Sequence, residues 1–249
     1  MVDGRIAGRR AEVRAARRRA RLRRTLLVLT LIALAGAAVW FEQSEYATVL
    51  GVEVEGTVRL DVDTIIAASE VDVGDSVARV RPRRVSARVA DLTLVRSVEV
   101  TRRDLRYVVI RVVEREPVYS AVHRRGSVLV DREGVIIDVG ADSRLPVVRL
   151  ATAPPAPGGL VASHAALANA HRVWTGLSGP LRSRVLEIRA ADEDGLEIVL
   201  DDGPVVRFGR AEMMEEKVRA MGAILDDVAG SEVTLIDVRV PGFPVIRID

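Results

Sequence analysis

Residues 25–41 read Thr25-Leu-Leu-Val-Leu-Thr-Leu-Ile-Ala-Leu-Ala-Gly-Ala-Ala-Val-Trp-Phe41, seventeen positions without a charge. As a helix rising 1.5 Å per residue, this stretch covers roughly 26 Å, close to the ~30 Å hydrocarbon core of a bilayer. It is expected to form a single transmembrane helix, with Trp40, Phe41 and Tyr46 suited to the outer interface. A cleaved signal peptide also places an apolar run after a basic flank. Its core is usually about 7 to 15 residues and ends at a small-residue cleavage site, whereas this run closes on the bulky Val39-Trp40-Phe41. A buried core helix would sit badly beside so charged a flank. Gly36 with Ala33, Ala37 and Ala38 offers a small-residue face for a neighbouring helix.

Working outward, the flank on the N-terminal side carries ten arginines against Asp3 and Glu12, a net +8 over residues 1–24. The whole chain is only +2, so residues 42–249 are −6 and the basic character is local. Such a tail can hold phosphates of nucleic acid. Its position against an apolar run points instead to topology: Arg17, Arg18, Arg19, Arg21, Arg23 and Arg24 are expected to keep the N-terminus cytoplasmic and to touch anionic lipid, with Trp40 as the outer anchor. Aromatic residues make up 3% of the chain, too few for a base-stacking surface, so no nucleic-acid partner is expected. The remaining 208 residues are then extracytoplasmic. They contain no cysteine and must be stabilised by their cores, which 49% hydrophobic content over about two domains allows. Thirty-six arginines against one lysine, Lys217, fit the codon bias of a GC-rich genome.

Beyond the apolar run, Val49-Leu-Gly-Val-Glu-Val-Glu-Gly56 alternates as a half-buried strand ending in a turn. Asp61 or Asp63 is placed to cap a short helix carrying Ile65, Ile66 and Ala68. Pro82 suits a first helical position, and Val85, Val89 and Leu92 follow on one face. Strands are expected over Val95–Arg102 and Tyr107–Val113. Strand, helix, helix, strand, strand within about 70 residues describes a small α+β domain with helices on one sheet face. Farther on, Val128–Asp131 and Val135–Asp138 read as a hairpin turning at Gly134, and Ala153–Gly159 as a loop. Helices are expected over 163–177 and about 212–228. Strands are expected at Val185–Arg189, Leu196–Leu200, Val205–Phe208, Val233–Val240 and Val245–Ile248.

Several of these stretches together resemble one family. Val52-Glu-Val-Glu-Gly56, Ser69-Glu-Val-Asp-Val-Gly-Asp-Ser76, Leu94-Val-Arg-Ser-Val98 and Val112-Val-Glu-Arg-Glu-Pro-Val118 resemble a POTRA domain of the FtsQ/DivIB family of bacterial division proteins. The Leu129-Val-Asp131 hairpin, the Phe208-Gly209 turn into a Lys217-bearing helix and the closing Ile236-Asp-Val-Arg-Val-Pro241 are similar to the rest of that family. No single motif is specific, but their order is. The resemblance implies an α+β protein: a cytoplasmic tail over 1–24, a transmembrane helix over 25–41, a POTRA domain over 47–116, and a mixed β-sheet domain with two helices over 117–249.

No catalytic constellation emerges, and the chain is expected not to be an enzyme and to need no cofactor. His123, His164 and His171 have no metal-binding spacing, and His164 and His171, if helical, stand ~10 Å apart. Asp192, Glu193 and Asp194, Asp201 and Asp202, and Asp226 and Asp227 occur in glycine-bearing turns or at a helix end, where solvated turn chemistry explains them. Binding is the better expectation. Because the chain stops at Asp249, its final segment is expected to leave an open sheet edge onto which a partner strand can add. Pro241, Gly242 and Pro244 suggest a tight turn that limits self-pairing. The family resemblance implies that this region binds the small bitopic proteins FtsB and, with it, FtsL, helping to recruit the septal peptidoglycan synthase. Carried onto this chain, the candidates are Val238, Arg239, Val240, Gly242, Phe243, Val245 and Arg247. A POTRA-bearing secretion component and a membrane-tethered hydrolase are the competing readings.

Overall fold

The computed structural model of the protein describes residues 24–37, 40, 47–104, 106–201, 203–227 and 233–248. These fall into two compact units that are discontinuous in sequence. The first contains residues up to Glu55 with Asp61–Val89 and Glu99–Arg111; the second contains Gly56–Leu60, Ala90–Val98 and everything from Val112 onward.

In the first unit, residues 24–37 form helix α1, and every one of them is exposed. An apolar helix exposed on every face is unusual for a water-soluble domain. Among the described residues, no helix is long and apolar enough to cross a membrane. The expected span continues through residues 38, 39 and 41, which lie outside the described residues. Next come strand β1 (Gly51–Glu55), helices α2 (Val62–Ser69) and α3 (Pro82–Ala90), and strands β2 (Val95–Arg103) and β3 (Tyr107–Glu114), of which Ala90, Val95–Val98 and Val112–Glu114 are counted with the second unit. The expected strand, helix, helix, strand, strand order is present. The sheet is ordered β1-β3-β2, with β1 parallel to β3 and Val54 opposite Ile110. Ile65 of α2, Val85 and Val89 of α3, and Val108 and Ile110 of β3 are buried, the residues that the period of the two helices places on one face. Arg111 and Arg103 span the exposed side to Glu55 and Glu53 at 2.9 and 2.8 Å.

The second unit holds a nine-stranded mixed sheet. Its strands are β4 (Pro117–His123), β5 (Gly126–Asp131), β6 (Ile136–Val139), β7 (Val147–Leu150), β8 (Val185–Ala190), β9 (Leu196–Leu200), β10 (Val205–Arg207), β11 (Val233–Asp237) and β12 (Val245–Ile248). The order across the sheet is β12-β11-β10-β9-β8-β7-β4-β5-β6. The pairs β4/β7, β7/β8 and β10/β11 are parallel and the others antiparallel. Helices α4 (Ala165–Gly176) and α6 (Met214–Asp227) pack on each other, and α4 lies on β7, β8 and β9. Tyr119, Leu167, Val173, Ile188, Ile198, Phe208, Met221 and Ile236 make the core between these layers.

This domain departs from the expected two helices by having a third, α5 (Gly179–Ser183), and a 3-10 turn at Val161–Ser163. Of the five residues of α5, only Leu181 is buried, so the helix has no apolar periodicity to read. Strand β7 is four residues long and is likewise too short to announce itself. The final strand pair is shorter than expected as well: β11 ends at Asp237, the Val238 amide makes the last ladder bond to the Arg207 carbonyl at 3.0 Å, and the Arg239 amide then turns to the Asp237 carboxylate at 3.1 Å.

Candidate functional site

Strand β12 forms one edge of the large sheet, pairing among the described residues only with β11. Val245 lies opposite Asp237, Ile246 opposite Ile236 and Arg247 opposite Leu235, before a bulge displaces the register. All four β12 residues are exposed, with Val245 at 63% and Ile248 at 67%. An exposed apolar edge strand is a template for another strand, and native proteins ordinarily blunt such edges with charge. Here only Arg247 is charged. The turn before it adds Val240 and Phe243, also exposed, and closes through the Phe243 amide on the Val240 carbonyl at 3.0 Å.

The seven residues expected to bind a partner therefore divide. Val240, Gly242, Phe243, Val245 and Arg247 lie in the turn and the edge strand. Val238 is fully buried in the core. Arg239 is tied to Asp237, its Nε 3.0 Å from each carboxylate oxygen and its Nη2 2.7 Å from Oδ2. Hydrogen bonds from the Arg239 side chain, opposed by burial and helped by its backbone amide and charge, hold the Asp237 carboxyl below the usual carboxylate range. This clasp fixes the turn in which β11 ends.

A buried cation supports the region from behind. Lys217, only 3% exposed on α6, donates to the carbonyls of Phe208 and Arg210 at 3.1 and 2.8 Å and lies 5.3 Å from the Phe208 ring centre. Burial lowers its pKa, against the raising effect of Glu212 and Asp237. Asn169 of α4, fully buried, donates to the carbonyls of Glu193 and Gly209 and accepts from the Ala211 amide at 2.7 Å. Together they satisfy the backbone of the 208–211 turn that follows β10, the strand β11 rests on. Asn169 had a readable signal, a polar residue inside the apolar stripe of Leu167, Ala170, Val173 and Trp174.

The histidines are engaged in structure. His164 accepts the Leu167 amide at the start of α4 and bonds Thr152 at 2.8 Å; His171 Nδ1 lies 3.0 Å from the Tyr119 hydroxyl. Asp192 accepts the amides of Asp194 and Gly195, an ordinary turn. Among the described residues, no group of three or more histidines, cysteines and carboxylates is placed to hold a metal. Of the topology residues, Arg24 opens α1 and Trp40 is 73% exposed. Arg17, Arg18, Arg19, Arg21 and Arg23 lie outside the described residues.

Comparison with known proteins matches residues 49–115 to the POTRA domain of FtsQ type and residues 121–239 to the C-terminal part of the cell division proteins FtsQ/DivIB. This chain belongs to the FtsQ/DivIB family of cell-division proteins. It is 30% identical to the cell division protein FtsQ of Streptomyces coelicolor over 81% of this chain and 80% of that one. The FtsQ of Corynebacterium glutamicum is 24% identical over 80% of this chain and 87% of its own length. That of Mycobacterium tuberculosis is 30% identical over 73% of this chain and 57% of its own. The family match ends at residue 239, so the turn and β12, where the exposed apolar residues gather, lie past the matched segment.

Proposed function

We propose that this FtsQ/DivIB-family chain is a non-enzymatic, single-pass scaffold of the bacterial divisome. Its N-terminus is cytoplasmic, its two extracytoplasmic domains are displayed outside the membrane, and it concentrates at the septum. The partners are bitopic division proteins of the FtsB and FtsL kind, and through them the septal peptidoglycan synthase. The POTRA domain contributes further division contacts.

The observation that carries this reading is β12, an edge strand whose Val245, Ile246 and Ile248 are all exposed. Unpaired backbone groups give a partner strand its hydrogen bonds, and the apolar side chains give it a surface to cover. The basic tail, the seventeen-residue apolar run and the all-round exposure of α1 support membrane anchorage. Depletion of the protein is expected to produce filaments or chains lacking septa, with FtsB-like protein recovered on a tagged full-length chain. Normal septation together with no such recovery would sink the proposal.

A further inference from the structure

Five arginines, Arg79, Arg81, Arg83, Arg84 and Arg88, occur within ten residues and with no carboxylate among them, in an outer segment whose net charge is −6. Four of them, all but Arg83, wall a cavity of about 210 Å³ that also contains Ser76 and the carboxylates of Glu70 and Asp75. Both carboxylates are already used: Glu70 accepts from Arg88 at 2.8 Å, and Asp75 accepts the Asp72 amide at 2.9 Å. Arg81 and Arg84 are exposed and have no side-chain partner among the described residues. Behind the lining, Ser76 Oγ and Arg88 Nε are buried with no hydrogen-bond partner among the described residues. Buried orphans of this kind are rare in folded proteins and mark a missing acceptor or donor. Helix α3, which starts at Pro82 beside the cavity, has no acidic residue in its first turn but two arginines, against the preference of a helix N-terminus for negative charge.

One acceptor chemistry answers the exposed arginines that line the cavity. A phosphate group presents several oxygens to guanidinium forks and accepts from hydroxyls. The cavity is also tied to Ala47, Thr48 and Val49, a few residues along the chain from the apolar run. Val77 donates to the Ala47 carbonyl at 2.8 Å, Val49 to that of Asp75 at 2.8 Å, and Thr48 bridges Ser76. Six residues from Phe41 to Ala47 span at most about 20 Å. A site tethered this closely meets lipid headgroups as near-intramolecular partners, at an effective concentration no diffusible anion matches. We propose that the cavity bounded by Ser76, Arg79, Arg81, Arg84 and Arg88 binds the phosphate of an anionic lipid headgroup and docks the POTRA domain on the bilayer. The proposal rests on the single-pass reading above.

The test uses the full chain in nanodiscs of phosphatidylcholine alone, or with about one third phosphatidylglycerol, read by amide exchange over residues 74–85. Incorporation into neutral discs reports the anchor by itself, independently of the site. Exchange about tenfold slower in the anionic discs, lost in Arg81→Glu/Arg84→Glu and retained in Arg81→Lys/Arg84→Lys, is the expected result. Equal exchange in both lipids, or the same protection from inorganic phosphate added to neutral discs, would overturn it.

Discussion

Glu114 Oε1 accepts the backbone N–H of Leu60 at 2.9 Å, joining residues 54 positions apart. The same carboxylate accepts the amides of Val58 and Arg59 at 2.8 and 3.0 Å, so the segment after β1 is held by one side chain from the end of β3. Burial raises the Glu114 pKa, but the three amides and the Arg59 charge outweigh it, and the net shift is downward. A carboxylate lowered in the folded state stabilises above its unfolded pKa, and that contribution is lost as pH falls through the folded value. Glu114→Ala is expected to cost about 1–3 kcal/mol at neutral pH. Urea midpoints of wild type and variant should converge toward pH 3; a gap unchanged by acid would show that charge on Glu114 contributes nothing.

Gly56, which ends the strand before that held segment, has φ +87°, and a Cβ there would stand 2.1 Å from the Val112 carbonyl oxygen. Backbone cannot yield as a flexible side chain does. Gly56→Ala is expected to destabilise by about 3 kcal/mol or more, adding a clash to left-handed strain. Gly74 provides the control: its φ is +100°, but nothing lies within 4 Å of the added Cβ, so Gly74→Ala should cost only about 1–2 kcal/mol. Thermal midpoints of the two variants should differ by several degrees.

His171 gives the second unit its own pH response. Burial lowers its pKa below 6.5, outweighing the raising effects of Asp131, the Arg132 backbone and Glu133. The folded state thus prefers neutral imidazole, while the unfolded chain takes up a proton near 6.5. Stability should fall as pH drops from about 6.5 to the depressed folded value, then level off. His171→Gln should flatten stability between pH 7 and 5, measured by amide exchange in α4, whatever it does to the absolute value. A variant with the wild-type slope would assign the response to another group.

The small domain was readable because each of its elements has a strong period or a punctuating residue. Val85 and Val89 after Pro82 are buried as their spacing predicts, and β1 forms where alternation predicts a strand, with all five of its residues half-buried. In the larger domain, α4 and α6 were legible from their stripes, but α5 and β7 were not. Five residues with one buried leucine carry no period, and Val147–Leu150 gains its strand identity only from parallel neighbours on both sides. The candidate surface was legible as a region, not residue by residue. Alternation in Val233–Val240 predicts a continuous strand, and the pattern holds as far as Val238, whose amide makes the last ladder bond to the Arg207 carbonyl, before the Asp237–Arg239 clasp. Val238 is buried in step with Ile236, while Val240, past the clasp, is exposed. Codon bias accounts for an arginine-rich chain and so hides the arginine cavity; what distinguishes that cluster is the fold, which gathers Arg79, Arg81, Arg84 and Arg88 around one cavity.

The contrast between Val238 and Val245 makes the edge proposal testable against misfolding. Val245 is 63% exposed on β12, so Val245→Asp places a solvated charge where no core atom is displaced. The sheet domain should stay folded, with an unchanged thermal midpoint. A strand adding to β12 would have to cover that charge or leave its own side chains splayed from it, at a cost of about 1–3 kcal/mol, or roughly tenfold to a hundredfold in Kd. Val238, by contrast, is fully buried, and Val238→Asp should lose binding only because the domain unfolds. Titrating an FtsB-type ectodomain onto the full-length chain in detergent, with circular dichroism on the same samples, separates the two. Weakened binding in folded Val245→Asp places the partner on β12, and unchanged affinity moves the interface to another face of the sheet domain.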